Sequence, residues 1–96
     1  MKEQLLPKQL ELYQAIDEIL WNEWDPIGIN LLPSRRDEYN EYIAVIFNLV
    51  MKNVTELELE EYLDEVVRNR MGLRSHKQSN KPIAEKIIEM KNQLGL

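Results

Sequence analysis

The side chains from which chemistry could be built gather in two short stretches. The first holds Trp21, Trp24, Asp25, Pro26 and Gly28; the second holds Asp37, Glu38, Tyr39, Glu41 and Tyr42. If Asp25, Asp37, Glu41 and the tyrosine hydroxyls converged in a pocket, they could move protons. Helical spacing puts Asp37 and Glu41 on one face, one turn apart. A metal reading of the same carboxylates is poorer. A di-metal bundle wants inward carboxylates from several helices and a Glu-x-x-His pair, whereas the single histidine, His76, stands apart from them. No Ser/His/Asp set is legible, and the three glycines are isolated rather than gathered in a phosphate-cradling loop. No catalytic, cofactor or metal-binding residue is therefore expected. A solvated, cap-favoured acidic face accounts for the carboxylates.

What positions these residues is a corner. Asp25 precedes Pro26, and a residue before proline is pushed out of the α region, so a helix through Trp21 stops near Trp24. The Asp25 carboxylate can close an Asx-type turn while Pro26 pre-sets φ. Gly28 allows a positive φ, and Ile27 and Ile29 flank it as apolar anchors. A rigid elbow whose tryptophans complete the core is the reading that aromatic burial favours. A recognition loop held open by the same rigidity is the alternative.

The 96 residues predict one domain, 1–96, with one core. There is no cysteine, which removes disulfides, thiol catalysis and thiolate metal sites, and fits a reducing, cytoplasmic location. No apolar run approaches the roughly 20 residues that span a bilayer, and the N-terminal stretch is too poor in apolar residues for a signal peptide. The net charge of −5 is uneven. Residues 1–65 carry five Lys and Arg against fifteen acids, and residues 66–96 carry seven against two. An acidic total makes nucleic acid an unlikely partner.

Periodicity predicts an all-α fold, a compact bundle of about four helices near 7–24, 35–52, 56–71 and 82–94. Pro7 opens the first, with Leu6, Leu10, Tyr13, Ile16, Leu20 and Trp24 along one face. Leu12 and Ile19 widen that stripe, and Trp21 falls to its side, partly covered. Leu31 and Leu32 then need cover. Ser34 reads as the N-cap of the second helix, with Asp37 three residues on. Thr55 caps the third, Glu58 returns the bond, and Val54 with Leu59 forms a staple. Gly72 suits the left-handed residue after that helix, with Leu73 folding back on Val67. Residues 74–81 are polar and basic without an apolar anchor, and are expected to be the most mobile internal loop. Pro82 opens the fourth helix. The expected core is Tyr13, Ile16, Leu20, Ile43, Phe47, Leu59, Leu63, Val66 and Ile87.

Glu56, Glu58, Glu60, Glu61, Asp64 and Glu65 make the third helix acidic, with Asp64 and Arg68 spaced as an i,i+4 pair. Arg68, Arg70, Arg74, His76, Lys77 and Lys81 form the basic counterpart.

Trp24-Asp25-Pro26-Ile27-Gly28, with Glu23 before it, followed about ten residues later by Asp37-Glu38-Tyr39-Asn40-Glu41-Tyr42, resembles the motif pair of the YugE-like family of small bacterial helical proteins. The resemblance spans roughly residues 13–73, and Asn40 departs from it, standing where the family has a second Asp. It implies a compact helical fold and no particular function. Two motifs that recur together imply that Trp24 meets Tyr39 or Tyr42 in space. The functional expectation is a non-enzymatic module that binds another protein or a second copy of itself. The alternatives are a small enzyme or ligand-binding protein with its site at the Trp24–Gly28 corner, and a nucleic-acid contact through residues 68–81.

Overall fold

The structure, a computed structural model, describes residues 5–25, 28, 32–73 and 77–96, with residues 33 and 77–79 described by their backbone alone. Among the described residues, four α-helices make an all-α bundle: α1 (Pro7–Ile19), α2 (Asn40–Met51), α3 (Glu56–Glu65) and α4 (Lys77–Gln93). α4 packs on α3 and on α1, and α1 packs on α2. No strand occurs among the described residues, and no helix among them is long and apolar enough to cross a membrane. All nine expected core residues are buried, joined by Leu12, Ile19, Tyr39, Tyr42, Ile46, Val50, Val67, Ile83 and Ala84.

α1 begins at Pro7, and the Leu6 N–H donates to Gln9 Oε1 at 2.9 Å. Leu6 itself is a correction. It remains 65% exposed, because it sits before the first turn in extended backbone (φ −67°, ψ 158°) and its side chain does not follow the helical stripe. The helix then widens. Leu20–Trp24 is a π-helical turn, closed by the Asp25 N–H donating to the Leu20 carbonyl five residues back at 2.9 Å. Asp25 ends it in the left-handed region (φ 31°). Its carbonyl accepts the Gly28 N–H at 3.1 Å, and Gly28 has φ 68°. Pro26, Ile27, Ile29 and Leu31 lie outside the described residues; Leu32 is exposed, without the cover expected for it.

α2 starts five residues later than expected. Ser34 lies in a short 3₁₀ turn (Pro33–Arg35), and residues 36–39 continue as turns. Long-range pairing explains this. Arg36 reaches across to α1 and Tyr39 to Asp25, and those contacts hold the backbone out of the regular helix that Ser34 and Asp37 would cap.

α3 follows the expected capping. Thr55 Oγ1 accepts the Glu58 N–H at 3.1 Å, and Glu58 Oε1 accepts from the Thr55 hydroxyl at 3.0 Å. Leu59 is buried and Val54 packs at the edge of the core. A second π-helical turn, Val66–Arg70, ends α3 with the Met71 N–H donating to the Val66 carbonyl at 2.9 Å. Gly72 takes φ 67°, and the Leu73 N–H returns to the Val67 carbonyl at 2.9 Å.

α4 is the largest correction. It starts at Lys77 rather than Pro82, so Pro82 lies inside it and residues 77–81 are helical rather than loop. The anchor is polar, not apolar: Asn80 is fully buried. Residues 74–76 lie outside the described residues.

Candidate functional site

The π-helical turn Leu20–Trp24 turns both tryptophans inward, leaving Trp21 and Trp24 only 8% and 6% exposed. Trp21 is thus covered more fully than its sequence position implies, because Arg36 lies over it with the guanidinium carbon 5.0 Å from the ring centroid. Arg36 is held there by Asp17 at 2.7 Å and Glu18 at 3.2 Å. A cation over an indole face gains from the ring quadrupole, and gains more when partly removed from water.

Trp24 sits at the centre of the cluster. Its indole N–H donates to Asn80 Oδ1 at 2.9 Å. Its ring centroid lies 5.5 Å from that of Tyr39 and 6.3 Å from that of Tyr42, the latter edge-on at 82°. Trp21 meets Tyr39 at 6.4 Å. The spatial meeting implied by the paired motifs is present. These separations fall in the range where ring pairs add about 0.5–1.5 kcal/mol beyond area burial. The Tyr39 hydroxyl donates to Asp25 Oδ1 at 2.7 Å. Asp25 therefore ties the left-handed corner to the start of α2.

The other carboxylates lie elsewhere. Asp37, Glu38 and Glu41, with Ser34 and Arg35, line a shallow depression open to water that does not include Asp25. Glu38 is paired with Arg35 at 2.8 Å, and Asp37 accepts the Asn40 side-chain amide at 3.3 Å. Tyr42 has its hydroxyl pKa raised, first by burial and then by its hydrogen bond with Glu41. The acid–base set of Asp25, Asp37 and Glu41 thus does not converge. No group of three His, Asp or Glu suited to hold a metal ion occurs among the described residues.

The outer face of α3 differs from both regions. Leu57 is 63% exposed and, with Glu60, Glu61, Asp64 and Arg68, lines a concavity of about 210 Å³. Asp64 and Arg68 form the expected pair at 2.8 Å, Asp64 turned inward and Arg68 outward. Glu60 and Glu61 have no cation partner among the described residues. Near the start of α3, partial burial and the Glu85 and Glu60 carboxylates raise the Glu56 pKa, against Lys81. On the basic side, Arg70 and Lys81 are exposed; Arg74 and His76 lie outside the described residues, as does the side chain of Lys77.

Four participants went unrecognised in the sequence: Asp17, Glu18, Arg36 and Asn80. Asp17 stands four residues before Trp21, a spacing that stacks acid and ring on one helix face, and this was the available signal for a covering cation. Asn80 had none, since its partner lies 56 residues away. The chain matches no family model, no curated protein and no solved structure, so its own geometry is what bears on its role.

Proposed function

We propose that this chain is a non-enzymatic interaction module that binds a basic segment of another protein through the outer face of α3. One observation carries the reading: Leu57 stands out of the helix 63% exposed, beside Glu60 and Glu61, which have no cation partner among the described residues. A lysine or arginine side chain suits such a place, its aliphatic stem lying on Leu57 and its charge reaching the glutamates. The excess of acids over residues 1–65 steers such a partner from a distance. The reading includes a cytoplasmic setting, in keeping with the absence of cysteine, and membership of the YugE-like family, which rests on the two motifs alone. Its simplest variant is self-association, acidic face to the basic end of a second copy.

The test is an affinity pull-down from native lysate with wild type, Leu57→Lys and Glu61→Lys, with light scattering on each. The expected result is a retained protein that both variants lose, with affinity lowered at least about tenfold, or about 1.4 kcal/mol. A monomeric wild type that retains nothing the variants lose overturns the proposal.

A further inference from the structure

Pro82 lies five residues inside α4. Proline has no N–H, so the Gln78 carbonyl receives no helical bond from position 82, and the ring crowds that carbonyl. The residue before it, Lys81, is also biased away from helical backbone. The turn 77–81 is therefore joined only weakly to the rest of its helix. Beyond Pro82 the hold is strong: Ile83, Ala84 and Ile87 are buried, and Lys86 pairs with Glu23 of the first π-helical turn at 2.6 Å. Before Pro82, Lys81 is exposed and Asn80 is buried.

Asn80 Oδ1 accepts the Trp24 indole N–H, and its Nδ2 is buried with no hydrogen-bond partner among the described residues. We infer that residues 77–81 form a hinged cover that opens locally about Pro82, with the Asn80–Trp24 hydrogen bond as its catch, so that opening bares the Trp24 ring. The remainder of α4 stays docked through Ile83, Ala84, Ile87 and the Lys86–Glu23 pair. Trp24 stays packed on Tyr39 and Tyr42. A ligand that binds the bared ring shifts the equilibrium by its preference for the open state.

Hydrogen exchange by NMR on the full chain tests this directly. The reporters are the Trp24 indole N–H and the Lys81, Ile83 and Ala84 amides, whose helical acceptors are the carbonyls of residues 77, 79 and 80. In wild type they should exchange at least about tenfold faster than the Ile87 and Ile88 amides, with little dependence on denaturant, the mark of local opening. Pro82→Ala should slow them about tenfold or more by restoring the missing bond. Asn80→Ala should speed the same backbone amides while Ile87 and Ile88 keep their protection. Protection of Lys81, Ile83 and Ala84 equal to that of Ile87 and Ile88 in wild type overturns the proposal. So does a Pro82→Ala variant that exchanges at the wild-type rate. Should Asn80→Ala weaken the whole fold, Pro82→Ala still decides.

Discussion

Two helix ends in this molecule use the same backbone device for different purposes. α1 and α3 each end in a five-residue π-helical turn, each closed by an N–H donating five residues back at 2.9 Å; a left-handed residue follows the first at once, as Asp25, and the second after Met71, as Gly72. The wide turn is rare and appears mostly as single turns within α-helices, so something beyond the backbone must select it. At Leu20–Trp24 it is two buried indoles, with bonds to residues far away in sequence. At Val66–Arg70 it is two buried valines, while Arg68 and Arg70 face water. The left-handed residues differ in the same sense. Asp25 carries a side chain that binds Tyr39. At Gly72 a Cβ would meet nothing within 4 Å, so the position serves the backbone alone. One end is fixed by its side chains and the other by its conformation.

The largest test of this contrast is truncation. Trp24→Ala should cost about 3–5 kcal/mol, as for other large buried side chains, whereas Arg70→Ala, exposed in the matching turn, should stay within about 0.5 kcal/mol. Chemical denaturation measures both, and equal effects would erase the distinction.

A smaller effect separates the two left-handed residues. Gly72→Ala should destabilise by about 1–2 kcal/mol, from φ alone. Asp25→Gly removes the strain at φ 31° and yet should also destabilise, because the bond from the Tyr39 hydroxyl to the Asp25 carboxylate is lost, at about 1–3 kcal/mol. If Asp25→Gly stabilises the protein, Asp25 is a backbone residue after all.

The smallest effect is titrimetric. Tyr62, on α3, has its pKa pushed up to about 12, first by burial, with Arg70 of the second turn opposing the rise. The folded state thus holds this proton more tightly than the unfolded chain. Its contribution to stability is complete below about pH 10, the ordinary tyrosine value, and is lost as pH rises toward 12. Tyr62→Phe should flatten that alkaline decline, as followed by denaturation at stepped pH. An unchanged decline would assign it to Tyr13 and Tyr42, whose pKa values are also raised by burial.

How much could be read in advance depends on the range of each contact. Thr55, Glu58 and Gly72 act within a few residues, and both the cap at the start of α3 and the left-handed glycine beyond its end were legible. The core residues came from helical spacing, which survives uncertainty about where a helix starts. The starts of α2 and α4 did not. Ser34 and Pro82 are sound local start signals, but Arg36 reaching Asp17 and Asn80 reaching Trp24 act over 19 and 56 residues. No local rule sees such pairs. The candidate corner was legible in its parts, Asp25 stopping the helix and Trp24 meeting the tyrosines, while the residues that clamp it were not.

Counted in residues, each π-helical turn is a helix end that has taken in one residue more than an α-helical ladder needs. Deleting that residue, Asn22 in the first turn or Asn69 in the second, closes the ladder as ordinary α-helix and leaves the residues beyond it near their present positions. Both asparagines are exposed, so neither takes a core side chain with it. Each turn is therefore a place where chain length can change by one residue without the rotation of about 100° that the same change imposes elsewhere in a helix.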